Sequence, residues 1–278
     1  MKALINKLNL PDYVVDILEG SPHIVFPKSK EELVNLSFGD TTGDVFNVTY
    51  ETEGHGMVTE ATVTRCKNGV VVNYPDDYMR RRDPDCLLVA DQNDTDKPKY
   101  DDVYSENFDG LRNETFEWLK RQNLIVVPFK AGGDEYGYDA LLIAPANAGF
   151  FACGLADLQS FLNIDELEPA FSPKAIIFLA PPFRHTHFGG KQMVIHNRLE
   201  KVHELFSYNL YPGPSAKKGI YGVLLNIGEN EGWVTVHAST VKVVTPYDNE
   251  IVIMHEGASG GGKSEMLEGI HKQLDGRI

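Results

Sequence analysis

The segment that most constrains the fold lies near the end of the chain, where three patterns follow one another. Residues 251–254 form a short apolar run with the β-branched composition of a strand. Residues 257–264, Gly-Ala-Ser-Gly-Gly-Gly-Lys-Ser, fit the pattern G-x-x-x-x-G-K-S, and residues 266–274 have helical spacing. Strand, loop and helix in this order favour phosphate binding, because the loop N–H groups and the helix start both attract an anion.

Each residue type in this loop has a role in that interpretation. Glycines let backbone N–H groups approach phosphate oxygens without a Cβ clash. Lys263 is placed to neutralise the terminal phosphates of ATP or GTP, and the Ser264 hydroxyl is placed to bind Mg²⁺ or Mn²⁺. The predicted nucleotide-binding residues are Gly257, Ala258, Ser259, Gly260, Gly261, Gly262, Lys263 and Ser264. A chance match in a glycine-rich turn is the alternative, and the flanking strand and helix disfavour it.

The rest of the chain predicts an α/β fold of the mixed α+β kind with a substantial mixed sheet. Helical patterns occur at 11–19, 30–34 and 108–121, and 219–226 fits either helix or strand. Strand patterns occur at 48–51, 62–72, 87–90, 124–127, 141–144, 176–179, 192–195, 233–237 and 241–244, with a hairpin turn at 67–69. Two domains are predicted, a substrate domain at 1–229 and the beginning of a nucleotide-binding domain at 230–278.

Composition limits the partners. The formal net charge of −14 disfavours binding to nucleic acid or to an anionic membrane, whereas a small anionic ligand needs only a local positive pocket. No window approaches the roughly 18 apolar residues of a membrane span, and residues 1–7 are too polar for a secretory signal. We therefore expect a cytoplasmic protein. The three cysteines, Cys66, Cys86 and Cys153, are far apart in the sequence and are expected to be buried reduced thiols.

Two stretches upstream of the loop suggest a family. Residues 216–221 read Ala-Lys-Lys-Gly-Ile-Tyr, and residues 234–239 read Val-Thr-Val-His-Ala-Ser. Together with the loop, they resemble phosphoenolpyruvate carboxykinase of the ATP-using type. In that family a Lys-Lys-Gly segment and a Met-His-Cys-Ser-like segment precede a G-x-S-G-x-G-K-T loop in the same order. Weaker similarity extends back to about residue 80, through the segment 124–148.

The resemblance implies a function and a set of site residues. It implies a nucleotide-dependent phosphotransferase that acts, with metal assistance, on a small carboxylate substrate. Lys218 and His237 would be ligands of a catalytic Mn²⁺, with the lysine neutral when bound. Tyr211 resembles the active-site tyrosine of the family, with one extra residue before the lysines. Arg82, in an Arg-Asp-Pro segment, resembles an arginine that binds substrate carboxylate or CO₂.

The sequence also departs from the family pattern. Asp85 and Glu265 stand where the family has lysine and threonine, and extra residues including 246–248 separate His237 from the loop. The acidic strand that holds the metal in phosphate-loop enzymes is expected after the first helix, and the sequence ends at about that point. We therefore expect the chain to be an N-terminal part of a longer protein and to be inactive by itself. A kinase of the sugar-transport regulatory type and a non-catalytic nucleotide-binding protein remain as alternatives, and the oligomeric state is left open.

Other polar residues have structural explanations that compete with functional ones. His185 and His187 could bind a metal from a strand, but a polar loop is favoured. His255 and Glu256 more simply satisfy the strand end before the loop. Lys217 fits a substrate contact and a solvated position equally well. The basic run at 80–82 fits an anion site and a solvated surface equally well.

Overall fold

The computed structural model describes residues 2–5, 7–39, 42–67, 69–79, 86–168, 171–244, 247, 249–258 and 260–273. The chain forms two compact units, Met1–Leu224 and Leu225–Ile278. Helices and strands mix throughout, and the main sheet has both parallel and antiparallel pairs. The predicted class, mixed α and β with a mixed sheet, is confirmed.

The first unit is built around an eight-stranded sheet. Its strands are β1 Ile24–Val25, β5 Leu87–Val89, β6 Leu124–Ala131, β7 Tyr138–Pro145, β8 Ser160–Phe161, β9 Ala175–Leu179, β10 Val194–Arg198 and β11 His203–Ser207. Seven of them follow the order β1-β6-β7-β9-β11-β10-β5 across the sheet, and β8 pairs with β6. The central strands β6, β7 and β9 are buried along nearly their whole length. Their continuous apolar runs are therefore those of strands covered on both faces.

A smaller antiparallel sheet precedes these central strands in sequence. It consists of β2 Val45–Thr52, β3 Gly56–Cys66 and β4 Gly69–Asn73. Cys66 pairs with Gly69, so the hairpin predicted at 67–69 is confirmed, although Asn68 itself lies outside the described residues. The inner face of this sheet carries Val48, Tyr50 and Glu60, all of them buried.

The sheets of the first unit are accompanied by α-helices. These helices are α1 Lys2–Ile5, α2 Asp12–Gly20, α3 Lys30–Leu36, α4 Tyr100–Tyr104, α5 Phe108–Leu119, α6 Gly149–Leu158 and α7 Phe183–Thr186, and α8 Lys218–Asn230 continues into the second unit. The Ser29 side chain accepts from the N–H of Glu32, and the Asn107 side chain caps α5 by accepting from Asp109. The helices predicted at 11–19, 30–34 and 108–121 are confirmed. Residues 219–226, which fitted either element, are helical.

The second unit contains the end of α8, a hairpin and a final helix. The hairpin pairs β12 Ala238–Val244 with β13 Glu250–Glu256 in antiparallel register, and α9 spans Lys263–Gln273. The strand predicted at 233–237 is wrong, because these residues form neither strand nor helix. Trp233 is 68% exposed. The backbone N–H of Trp233 donates to the carbonyl of Gly228, so the segment turns back on the end of α8 instead of extending.

Two further expectations concern cysteines and membranes. Cys66, Cys86 and Cys153 form no disulfide, but Cys66 is exposed and the other two are partly exposed, so the prediction that they are buried is wrong. Burial raises the pKa of the Cys153 thiol. In the part of the chain that the structure describes, no helix is both long enough and apolar enough to cross a membrane.

Candidate functional site

The glycine-rich loop connects β13 to α9. Within it the N–H of Gly261 donates to the carbonyl of Ala258 over 3.0 Å, and the N–H of Met266 donates to that of Gly262 over 2.9 Å as α9 begins. Gly260 and Gly262 have φ angles of +84° and +75°. Because this backbone region costs an L-residue roughly 1–2 kcal/mol, the loop depends on glycine at both positions.

The Lys263 side chain bridges the loop from its end to its beginning. Its Nζ atom donates to the carbonyls of Gly257 and Ala258, each over 2.7 Å. An ammonium group has three donors, so one N–H remains without a protein acceptor among the described residues. Ser264 follows in the first turn of α9 with its side chain exposed. The arrangement therefore places a positive charge and the start of a helix beside the loop.

The start of β12 contacts both ends of the loop. The N–H of Gly257 donates to the carbonyl of His237 over 3.4 Å, and the Ser239 hydroxyl donates to the carbonyl of Lys263 over 3.2 Å. His237 is itself partly exposed. The structure thus brings the backbone of the predicted metal-binding histidine to the predicted phosphate loop.

Tyr211 and Lys218 lie in the first unit, on either side of a π-helical turn at Gly213–Lys217. The Tyr211 ring packs edge-on against the Tyr74 ring, 5.5 Å between centroids, and the Tyr211 N–H donates to Asn209 Oδ1. A Cβ at Gly213 would lie 2.9 Å from the Tyr211 ring, so a glycine permits this packing.

Lys217 and Lys218 are both exposed at the start of α8. The Lys218 ammonium lies 5.5 Å from the centroid of the Tyr221 ring, one turn further on. A Cβ at Gly219 would lie 2.6 Å from a Leu205 methyl carbon. The glycine of the Lys-Lys-Gly segment therefore lets the first turn of α8 approach strand β11.

Arg82 and Ser259, two of the predicted site residues, lie outside the described residues, as do Arg80 and Arg81. Tyr74, which is described, donates from its hydroxyl to the carbonyl of Leu210 over 3.3 Å. The roles predicted for Arg82 and Ser259 stay predictions.

Residues 10–278 match a family model described as "Domain of unknown function (DUF4914)". The chain belongs to this family. A search of curated proteins finds no match. Membership of the DUF4914 family therefore assigns no activity, and the chemistry must be argued from the side chains.

A buried polar cluster in this DUF4914 chain was not predicted from the sequence. Glu60 of β3 is fully buried and accepts from Arg184 Nε over 2.9 Å and from the Tyr78 hydroxyl. It also bonds His185 Nε2 over 2.5 Å. The Arg184 guanidinium lies 4.3 Å from the centroid of the Tyr78 ring. Burial, and then the charge of Glu60, raise the pKa of Tyr78 well above its ordinary value.

The cluster also corrects the interpretation of residues 185–187. A polar loop was expected there, but Phe183–Thr186 forms the helical turn α7. His185 turns toward Glu60, whereas His187 Nδ1 lies 2.8 Å from the Thr186 hydroxyl and its Nε2 lies 3.3 Å from Glu114. The two histidines therefore have separate partners. No group of three or more His, Cys, Asp or Glu side chains among the described residues is arranged to hold a metal ion.

Proposed function

We propose that this chain binds the phosphates of ATP or GTP at residues 257–264 and belongs to a nucleotide-dependent phosphotransferase that resembles phosphoenolpyruvate carboxykinase. The observation that carries the proposal is the position of Lys263, whose Nζ atom is held by the carbonyls of Gly257 and Ala258. These two bonds fix the ammonium over the loop and leave its third N–H for a phosphate oxygen. Such an arrangement neutralises phosphate charge without a further rearrangement of the lysine.

The loop backbone supports the same proposal. Alternation of right- and left-handed backbone conformations lets neighbouring N–H groups of a loop converge on one anion, and the positive φ angles at Gly260 and Gly262 supply left-handed positions for such an alternation. A divalent cation at the exposed Ser264 hydroxyl would bridge phosphate oxygens and offset the negative charge that develops as the phosphoryl group moves. Phosphoryl transfer needs mainly such positioning and charge neutralisation.

The substrate half of the proposal rests on the order of the motifs. Lys218 and His237 would hold Mn²⁺ as a Lewis acid on a carboxylate or enolate oxygen. Tyr211 and Arg82 would contact a small carboxylate substrate. The exposure of Lys218 and the partial exposure of His237 are compatible with these roles.

Calorimetric titration with ATP and Mn²⁺ tests phosphate binding. We expect Lys263→Ala to weaken nucleotide affinity at least about tenfold, because it removes the charge that faces the phosphates. Lys242→Ala is the matched control, since Lys242 lies in the same unit, is half-exposed and pairs with Glu250 over 2.7 Å. It removes the same charge and should leave the affinity unchanged. Equal heats for the wild type and Lys263→Ala would refute the loop assignment.

His237→Ala separates the carboxykinase-like proposal from a kinase of the sugar-transport regulatory type. The readout is the dependence of phosphoryl transfer on Mn²⁺ in the purified protein. Loss of that dependence in the variant supports a metal site at His237. An unchanged dependence favours the kinase.

A further inference from the structure

Glu60 fixes the orientation and the tautomer of His185. A carboxylate only accepts hydrogen bonds, and Glu60 already accepts from Arg184 and Tyr78. The hydrogen between Glu60 and His185 therefore belongs to His185 Nε2. The neutral imidazole then carries its lone pair on Nδ1, which has no bonding partner among the described residues. The His185 side chain remains 14% exposed, and solvent therefore reaches the ring that carries Nδ1.

A second histidine lies beside this ring. His55 is exposed at the turn between β2 and β3, and its ring centroid is 5.6 Å from that of His185, with 46° between the planes. Two imidazoles that share a tetrahedral metal, each with a metal–nitrogen distance of about 2.0 Å, place their centroids roughly 5 Å apart. The turn is shaped by Gly54 and Gly56, whose φ angles are +73° and +70°. The separation of the two rings therefore suits a shared metal ion.

We propose that His55 and His185 bind a divalent transition-metal ion such as Zn²⁺, Ni²⁺ or Co²⁺, with Glu60 as the carboxylate that orients His185. Neutral imidazole suits these ions, and a ligating histidine commonly donates its other N–H to a carboxylate. Two protein ligands leave the remaining coordination positions to water or to a small molecule. This site lies wholly in the first unit and is separate from the Mn²⁺ ligands of the proposed function.

The sequence by itself suggests a different pair. His185 and His187 are two residues apart, but His187 is bonded to Thr186 and its ring stacks on Phe183 with centroids 5.2 Å apart. The structure therefore makes His55 the partner of His185. His187 provides a matched control, because its substitution also removes one partly exposed imidazole from the same surface region.

The test uses Co²⁺ as the probe, without nucleotide, and follows its visible d–d absorption with Zn²⁺ as competitor. In the His237→Ala background, which removes the histidine of the proposed Mn²⁺ site, the protein should bind one Co²⁺ with nitrogen ligands, and Zn²⁺ should displace it. In that background His55→Ala should abolish the spectrum, whereas His187→Ala should retain it. Glu60→Gln should weaken binding about 10- to 100-fold, the usual effect of losing such an orienting carboxylate.

The test remains decisive even if Glu60→Gln, a substitution at a buried residue, does not fold. His55 lies on an exposed turn, so His55→Ala should keep the wild-type circular dichroism spectrum and decides the matter if Glu60→Gln fails to fold. Lys263→Ala should bind Co²⁺ as the wild type does, which separates this site from the phosphate loop. The proposal is overturned if the His237→Ala protein shows no nitrogen-ligated Co²⁺, or if adding His55→Ala to it leaves the binding as tight.

Discussion

Strands β9 and β13 both contain apolar runs, but β9 is buried and β13 is largely exposed. β9, Ala-Ile-Ile-Phe-Leu, lies between β7 and β11, and all five of its side chains are buried. β13, Glu-Ile-Val-Ile-Met-His-Glu, pairs only with β12 among the described residues, and Val252 is 65% exposed. An apolar run therefore predicts a strand in both units, but burial depends on how many strands and helices come from elsewhere in the chain.

Charged pairs show the same contrast and should give the largest effect. Arg112 holds the buried Glu204 through two hydrogen bonds of 2.6 and 2.8 Å. Arg112→Met should lower the free energy of unfolding of the first unit by about 3–5 kcal/mol, because it leaves a buried carboxylate without its cation. Lys242→Met should cost the second unit less than about 1 kcal/mol, because the Lys242–Glu250 pair is half-exposed and screened by water.

Urea unfolding of single-tryptophan variants measures each unit separately. The chain has two tryptophans, so Trp233→Phe leaves Trp118 to report on the first unit and Trp118→Phe leaves Trp233 to report on the second. Equal losses in the free energy of unfolding for Arg112→Met and Lys242→Met would contradict the comparison between the units.

Apolar truncations should give the next largest difference. Ile177 in β9 is fully buried, and Ile177→Ala should cost about 2–5 kcal/mol through lost burial and the cavity left behind. Ile253 in β13 is 39% exposed, and Ile253→Ala should cost about 1 kcal/mol or less, since less apolar area is lost. The same fluorescence measurement applies. A cost at Ile253 as large as that at Ile177 would mean that another part of the protein covers β13 in solution.

The smallest expected effect, taken over one pH unit for one histidine, is a pH dependence confined to the first unit. His196 Nδ1 and His203 Nε2 lie 2.8 Å apart on the antiparallel strands β10 and β11. Burial, and then the charge of Arg198, lower the pKa of His196 to about 4, and burial lowers that of His203 well below 6.5. Between about pH 6.5 and pH 4 the unfolded state therefore binds more protons than the folded state, and stability falls as the pH is lowered.

The expected slope is at most about 1.4 kcal/mol per pH unit for each histidine. Unfolding of the Trp233→Phe variant at a series of pH values measures it, and adding His203→Gln should make the slope shallower. The described part of the second unit contains no buried histidine, so unfolding followed by Trp233 should vary less over this range. A slope that His203→Gln leaves unchanged would assign the effect to other groups.

Local features of the sequence predicted the elements that depend on near neighbours. Helical patterns at 30–34 and 108–121 marked α3 and α5, and the residues at 67–69 marked a hairpin, because helical periodicity and turn formation involve residues only a few positions apart. The strand and helix on either side of the glycine-rich loop were predicted for the same reason. Phosphate binding by that loop stays a prediction.

Features that depend on distant residues were not predictable in this way. No local pattern indicated that Glu60 contacts Arg184, 124 positions later, or that His55 lies beside His185. The composition of residues 233–237 favoured a strand, and that prediction was wrong because strand-like composition does not provide a neighbouring strand to pair with.

Interactions over a few residues set the hairpin at 67–69, the positions of α3 and α5 and the residues of the glycine-rich loop, so these features follow from the amino-acid order alone. Which apolar strands are buried, and which side chains surround Glu60, follow only from the folded chain. Burial and electrostatic pairing arise from packing between segments that are far apart in the chain, and no local pattern encodes that packing.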